Sequence, residues 1–191
     1  MVARKYELRR RAEAQAATRQ RIVDAAIQLH QAKGPSQTSL SEVARLAGVQ
    51  RHTLYRHFPS EWELGLACSG SWWERNPPPD PESWLAIGDV AGRLRRGLAE
   101  LYAFYERGEE MIASVLRDAE VDPVTRELME LRGGGSMMRI REVLATGLPR
   151  RRRVQATLDL AVDFQAWRRL ARSGLSSREA AETMAAAVLG Q

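Results

Sequence analysis

Apolar residues recur along the chain at the three- and four-residue spacing of amphipathic helices, while the alternation typical of strands is nearly absent. From about Thr18 to Lys33, for example, Ile22 and Ala26 fall on one helical face, and Gly34 followed by Pro35 ends the segment. Prolines, glycines and capping-box pairs divide the remaining chain in the same way. The pattern predicts an all-α fold of about nine helices.

Two short helices follow the first one. Ser39 and Glu42 have capping-box spacing at the start of a helix from Leu40 to Ala47, and Gly48 permits a tight turn before a third helix from Gln50 to Phe58. Three short helices with a glycine turn before the third are typical of a helix-turn-helix. Four apolar residues are predicted on its inner face, namely Val43, Leu46, Val49 and Leu54.

The outer face of the third predicted helix carries polar and basic side chains, namely Arg51, His52, Tyr55 and Arg56. The major groove of B-DNA is about 12 Å wide and accepts an α-helix that presents such groups to base edges. The hydroxyls of Ser39 and Ser41, at the start of the second helix, are placed to bind phosphates. These features predict binding to double-stranded DNA.

The later segments are also helical in pattern. Three prolines in the run from Asn76 to Pro79 mark a linker, because proline cannot sit inside a helix. We expect one helix from Asp80 to about Arg107 and a long one from Arg150 to Ser173. Ser176 and Glu179 repeat the capping-box spacing and start the last helix.

The net charge of +5 is unevenly distributed. Residues 1–60 carry 11 Lys and Arg against 4 Asp and Glu, a balance of +7, whereas residues 61–191 carry 18 against 20, a balance of −2. This asymmetry predicts that residues 1–60, the basic head, bind a polyanion and that residues 61–191, the body, have a different role.

Several classes of protein are excluded by the sequence. No apolar run approaches the roughly 20 residues of a membrane-spanning helix, and the single Cys68 cannot form an internal disulfide. No assignable catalytic triad, phosphate loop or metal-ligand spacing is present. We therefore expect a cytoplasmic protein that is not an enzyme, with no cofactor, no metal and no membrane partner.

Four short runs in the first third of the chain form a longer and more specific pattern: residues 21–26, 41–44, 47–49 and 53–60. Together they resemble the DNA-binding domain of TetR/AcrR-family transcriptional regulators. The resemblance extends from Gln20 to Leu64, whereas the later helices match the family only in number, order and style. It implies base-edge contacts from Arg51, His52 and Tyr55. It also implies phosphate contacts from Ser39, Ser41, Thr53, Tyr55 and His57.

One position departs from the family pattern. Glu61 stands where the family usually has lysine at the start of the fourth helix, and a carboxylate there repels phosphate. The basic N-terminal residues either compensate by contacting DNA or form a solvated arm, and both interpretations stay open. These residues are Arg4, Lys5, Arg9, Arg10 and Arg11.

The body carries all five tryptophans and most of the methionines. Such side chains on several helices either fill a core or line an adaptable apolar pocket. The family resemblance implies a pocket for a small ligand. The candidates for its wall are Trp72, Trp84, Tyr102, Tyr105 and Met111.

The last two predicted helices suggest pairing between subunits. The helix from Arg150 to Ser173 carries two apolar stripes, and the final helix is lined with small side chains that permit close approach. The resemblance likewise implies a homodimer. The interface candidates are Leu158, Val162, Phe164, Met184 and Val188.

The sequence thus predicts three parts: residues 1–17 as a flexible basic arm, 18–60 as a helix-turn-helix domain, and 61–191 as a helical effector-binding and dimerisation domain. The predicted function is a ligand-responsive repressor that binds a pseudo-palindromic operator as a homodimer and is released by a small apolar or amphipathic effector. A sequence-tolerant architectural DNA-binding protein without an effector is the alternative.

Overall fold

A computed structural model describes the backbone of residues 2–190 and the side chains of residues 6–190. This part of the chain contains α-helices, one 3₁₀ helix (Pro81–Ala86) and one π-helical turn (Glu130–Gly134), and no strand. It confirms the predicted all-α fold. The ten α-helices are α1 Val2–Lys33, α2 Leu40–Leu46, α3 Arg51–His57, α4 Glu61–Arg75, α5 Val90–Ala119, α6 Pro123–Met129, α7 Gly135–Ala145, α8 Arg152–Ala161, α9 Phe164–Arg172 and α10 Ser177–Leu189.

The chain divides into two compact units. The head unit comprises Met1–Arg75 and Glu110–Met129, and the body unit comprises Asn76–Glu109 and Glu130–Gln191. Helix α5 contributes residues to both units. Among the described residues, no helix is long and apolar enough to cross a membrane.

Helix α1 begins at Val2, so the prediction that it starts near Thr18 is wrong. Residues 2–17 contain no glycine or proline and are rich in alanine, arginine and glutamate, which favour helices. They lack an apolar face, so amphipathic periodicity does not predict this part of the helix.

Two other helices that the sequence predicted as continuous are each divided into two elements in the structure. The segment after Asp80 forms the 3₁₀ helix and then α5, because Asp89 Oδ2 accepts from the amide of Gly92 at 2.6 Å and caps a new helix start. The predicted helix from Arg150 to Ser173 is broken into α8 and α9. There, Asp163 Oδ1 accepts from the amide of Ala166 at 2.8 Å.

Aromatic side chains of α5 and α9 fill the core of the body unit. The ring of Tyr105 lies 6.2 Å from that of Tyr102 and 5.3 Å from that of Phe164, measured between centroids. The hydroxyls of the two tyrosines donate to carbonyls at the end of α8, Tyr102 to Ala161 at 2.8 Å and Tyr105 to Val162 at 2.6 Å. The break between α8 and α9 is therefore stabilised from inside the core.

The helix-turn-helix part of the head has an apolar interior. Ile22 of α1, Val43 of α2 and Leu54 of α3 are buried. Leu46, however, is 45% exposed, so its assignment to the inner face is wrong. The buried face of α2 is centred between Val43 and Ala47, and Leu46 lies at its edge.

The end of α5 binds the end of α1 within the head unit. Asp118 is only 2% exposed, and its Oδ2 accepts from the amide of Ser36 at 2.9 Å. Arg117 pairs with Asp118 at 2.8 Å and donates from Nη2 to the carbonyl of Lys33 at 2.8 Å. We call this set of contacts the α1–α5 junction. It fixes the loop that leads from α1 into α2.

Gly34 is required at this junction. Its φ of +98° is a left-handed conformation that favours glycine, and a Cβ there would overlap the Arg117 and Asp118 side chains. His30 lies one turn earlier, with Nδ1 3.7 Å from the sulfur of Cys68. Burial lowers the pKa of His30 to about 4, although the charge of Asp118 acts in the opposite direction.

Asp118→Ala should lower the free energy of unfolding by about 2–3 kcal/mol, because it removes a buried carboxylate that accepts from the amide of Ser36 and pairs with Arg117. Denaturant unfolding measures this loss. Asp159→Ala is the matched control: Asp159 pairs with Arg141 at 2.8 Å, but its side chain is 60% exposed. The control should cost less than about 1 kcal/mol. Equal losses in the two variants would contradict a structural role for the junction.

Acidification from pH 6.5 to 4 should lower the free energy of unfolding by up to about 3 kcal/mol through His30 alone. The folded state keeps His30 neutral down to about pH 4, while the unfolded state takes up a proton near the ordinary value of 6.5. The unfolded state thus binds more protons in this window. Unfolding at fixed pH steps measures the slope, and His30→Gln should flatten it.

A second, more acidic window belongs to Asp118. Burial raises the pKa of this carboxyl, but hydrogen bonds from Ser36 and the pairing with Arg117 outweigh burial and hold the pKa below its ordinary value. The stability that Asp118 contributes is therefore lost only as the pH falls further. This loss should persist in His30→Gln. A variant profile identical to the wild type between pH 6.5 and 4 would refute the role of His30.

Candidate nucleic-acid interface

Helix α3 presents one face to solvent and buries the other. Leu54 and, just after the helix, Phe58 are buried. The predicted outer face is exposed, as expected, with the side chains of Arg51, His52, Tyr55 and Arg56 accessible to solvent. With seven residues at 1.5 Å each, α3 is about 10 Å long, which suits insertion into a single major groove.

Arg51 and Tyr55 form a pair on this surface. Arg51 Nη2 donates to the hydroxyl of Tyr55 at 3.2 Å, and its guanidinium lies 5.6 Å from the centre of the tyrosine ring. The two residues are one helical turn apart, so the helix itself sets this contact. Tyr55 is 39% exposed, which leaves its edge accessible. The pair holds the arginine fork in an orientation suited to a guanine edge or a phosphate.

At the start of α2, the side chains of Ser39 and Glu42 are already held by hydrogen bonds and an ion pair within the chain. Ser39 Oγ accepts from the Glu42 amide at 3.3 Å and the Ser39 amide donates to Glu42 Oε2 at 3.0 Å, which together form the predicted capping box. The Ser39 hydroxyl also donates to Glu42 Oε2 at 2.8 Å. Lys33 pairs with Glu42 at 2.7 Å and, together with the hydrogen bonds from Ser39, lowers the pKa of that carboxyl to about 2. A phosphate would therefore compete for the Ser39 hydroxyl, whereas Ser41 is exposed beside it.

Thr53 and His57 are half-buried on α3. Burial lowers the pKa of His57, and the positive charges of Arg56 and Arg19 lower it further. His57 is therefore neutral at pH 7 and can meet a phosphate as a hydrogen-bond donor but not as a cation.

Basic residues of α1, which the sequence analysis had not singled out, support the carboxyl ends of α2 and α3. Arg21 Nε donates to the carbonyl of Ala47 at 3.4 Å, and Arg19 lies over the ring of Phe58 at 4.6 Å. Cations near helix carboxyl ends stabilise the unbound carbonyls there. In the sequence, the position of Arg19 and Arg21 beside the apolar face of α1 could have indicated this role. Glu61 is exposed at the first position of α4.

The ligand-pocket candidates are distributed over both units. Trp72 and Met111 are buried in the head unit, and Trp84, Tyr102 and Tyr105 are buried in the body unit. Of these, Tyr102 and Tyr105 are in ring contact. Trp84 Nε1 donates to Glu100 at 2.7 Å, so the polar atoms of all three body residues already have partners within the chain.

The dimer candidates also lie mostly inside the chain. Leu158, Phe164 and Val188 are buried within the single subunit, while Val162 and Met184 are half-buried. The two apolar stripes assumed one continuous helix, and the break at Asp163 rotates α9 away from that register.

An open cavity of about 600 Å³ lies in the body unit between α5 and α10. Small residues such as Gly92, Ala99 and Ala181 line it, together with charged side chains that include Arg95 and Glu182. No periodic pattern of residues had indicated this groove. Among the described residues, no group of three or more His, Cys, Asp or Glu side chains could hold a metal ion.

Comparison with known proteins connects the helix-turn-helix surface to a family. Residues 22–68 match the family model described as bacterial regulatory proteins, tetR family. The HTH-type transcriptional regulator SrpR of Pseudomonas putida is 44% identical over 54 residues, 28% of this chain and 25% of that relative. The regulator AcrR of Shigella flexneri is 38% identical over 78 residues, 36% of each protein. Both matches thus span well under half of the relatives' length.

Solved structures extend the likeness of fold to most of the chain. HlyIIR, a hemolysin II transcriptional regulator, has a TM-score of 0.65 at 18% identity, covering 87% of this chain and 96% of its own. The TetR family regulator PfmR of Thermus thermophilus has a TM-score of 0.63 at 20% identity, covering 88% and 97%. At such low identity this likeness shows the fold alone.

The family match includes α2 and α3, which carry the exposed polar face. The likeness of fold extends over most of the chain and so includes helices of the body unit. The tetR family model therefore matches the helix-turn-helix part of the chain, residues 22–68, about a quarter of its length.

Proposed function

We propose that the chain is a DNA-binding transcriptional repressor that binds a pseudo-palindromic operator as a homodimer and is released by a small apolar or amphipathic effector. The observation that carries this proposal is the exposed outer face of α3, with the Arg51–Tyr55 pair on a helix anchored by buried Leu54. Base-edge contacts come from Arg51, His52 and Tyr55. Phosphate contacts come from Ser39, Ser41, Thr53, Tyr55 and His57, and Arg56 is a further DNA contact on the outer face of α3.

The size of α3 supports a dimer. A helix about 10 Å long reaches only a few base pairs, and two copies read successive major grooves about 34 Å apart on a two-fold symmetric site. We place the interface on the exposed side of α8 and α10. Leu160 is 59% exposed on α8, and Thr183 and Ala187 are exposed on α10, with Val162 and Met184 at the edge. Leu158, Phe164 and Val188 support this surface from inside the subunit.

Helix α5 supports a coupling between effector and DNA. It is one continuous helix with residues in the body unit and, at its end, the α1–α5 junction of the head unit. An effector that displaces α5 in the body would therefore act on the α1–α2 loop through Asp118. Such coupling is reciprocal, so operator DNA must weaken effector binding by the same factor. The proposed effector contacts in the body unit are Trp84, Tyr102 and Tyr105.

Selection of bound duplexes from random DNA should yield a pseudo-palindromic site that binds at least about 1,000-fold more tightly than random sequence. Arg51→Ala should cost about 1–3 kcal/mol on this site and relax the base preference at one position of each half-site. Arg172→Ala, an exposed arginine of α9, is the control and should leave both quantities unchanged. A specificity ratio near one would favour the architectural alternative.

Leu160→Glu should shift the protein from dimer to monomer and weaken operator binding, because it places a charge in the centre of the proposed interface. Sedimentation at micromolar concentration measures the change. Leu131→Glu is the matched control, since Leu131 is 60% exposed elsewhere in the body unit. A wild-type monomer under these conditions, or an equal effect of the two variants, would contradict the proposed interface.

A further inference from the structure

The first four turns of α1 extend beyond the packed part of the head. Every side chain described from Tyr6 to Ala17 is exposed, and burial along α1 starts only after Thr18. Residues 2–17 span about 24 Å at the helical rise of 1.5 Å per residue. We call this segment the N-terminal extension.

The extension is held by local contacts within its described part. Arg9 pairs with Glu13 at 2.8 Å, and Arg10 lies 5.9 Å from the centre of the Tyr6 ring. Contacts of this kind stabilise a helix by only about 0.2–0.5 kcal/mol each. Most helical stability in proteins comes from packing, and the extension buries none of its described side chains within the subunit. We therefore look for a binding partner outside the subunit.

The charge of the extension indicates what that partner is. Residues 1–17 carry five Lys and Arg against two Asp and Glu, a net charge of +3. Its basic residues surround the helix and are not collected opposite an apolar stripe, as a membrane-surface helix would require. An arginine-rich helix of this kind is suited to phosphates.

The extension also leaves the head at the DNA-reading helices. Arg19 covers Phe58 at the carboxyl end of α3, and Arg21 binds the carbonyl of Ala47 at the carboxyl end of α2. The extension therefore starts next to the elements that face the duplex in the proposed function. Glu61 at the start of α4 adds a negative charge to the same unit, so basic groups elsewhere have to supply the attraction for phosphates.

We propose that the N-terminal extension binds DNA phosphates outside the base pairs read by α3, and so lengthens the footprint and adds sequence-independent affinity. This inference rests on the proposed function, because it requires that α3 binds duplex DNA. The sequence left two interpretations of the basic N-terminal residues, a solvated arm or a DNA contact. The proposal chooses the DNA contact and has a helix make it. The side chains of Arg4 and Lys5 lie outside the described residues, so the test uses Arg9, Arg10 and Arg11.

The test compares two triple variants of the full chain that remove the same charge. Arg9→Gln, Arg10→Gln and Arg11→Gln neutralise the extension, and Arg151→Gln, Arg152→Gln and Arg153→Gln neutralise an exposed cluster at the start of α8. Glutamine is a good helix former, so helix content should not change, which circular dichroism verifies. Affinity is measured against salt on a duplex that carries the selected site with about 15 flanking base pairs on each side.

Each phosphate contact contributes about 0.9 to the slope of log affinity against log salt. The extension variant should therefore lower this slope by about 1–3 per subunit, weaken binding at least tenfold at 0.15 M salt, and leave the base preference unchanged. The α8 variant should match the wild type. Glu13→Gln removes an acidic group from the extension and should act in the opposite direction, raising the affinity two- to threefold.

A second measurement locates the contact. Trimming the duplex to the selected site alone should weaken the wild type but not the extension variant, since only the wild type uses flanking phosphates. Equal salt slopes for the two triple variants, or equal sensitivity to trimming, would overturn the proposal. Binding of the wild type to phosphatidylserine vesicles that the extension variant loses, with unchanged DNA slopes, would assign the extension to a membrane surface and overturn it as well.

Failure of the underlying function gives a different result. If the wild type retains no duplex at low salt, the proposed DNA-binding function is wrong and the slopes cannot be compared. If the wild type binds its selected site and the extension variant behaves like the α8 control, the DNA-binding function stands and only the extension proposal is lost.

Discussion

The burial of Leu54 and Phe58 is the constraint on which the candidate interface depends. A helix of seven residues is too short to persist in water by itself, so α3 is helical because its inner face is anchored in the head. That anchoring fixes which residues point outward. Arg51 and Tyr55 are then one turn apart on a rigid surface, and their mutual contact requires no further support from the rest of the protein.

Arginines carry a second role in the head, which is to secure the ends of helices. Arg21 binds a carbonyl at the end of α2, and Arg117 binds one at the end of α1. These contacts satisfy carbonyls that a helix leaves without partners. Arg21 is one of the 11 basic residues of the segment 1–60, so part of the positive balance of that segment stabilises the fold. In the described part of the N-terminal extension, Arg9, Arg10 and Arg11 remain exposed.

Local chemistry was readable from the sequence, whereas packing between distant segments was not. The capping boxes at Ser39 and Ser176 and the exposed face of α3 follow from neighbouring residues, and the structure has each of them. The break before α9 depends on tyrosines of α5 that lie about 60 positions away and bind carbonyls at the end of α8. For the same reason, the sequence did not show that the five ligand-wall candidates and three of the five interface candidates are buried within the single chain.

The tyrosines of the body also constrain any effector. Tyr102 and Tyr105 are buried, and burial raises the pKa of each hydroxyl, so both remain neutral hydrogen-bond donors to the end of α8. A ligand that displaced them would leave buried carbonyls without a donor, at about 1–3 kcal/mol each. A purely apolar molecule cannot replace those donors, but one with a hydroxyl or amide can. Within the proposed function, an effector that binds beside these tyrosines should therefore carry a hydroxyl or an amide, and its binding would act on the break between α8 and α9.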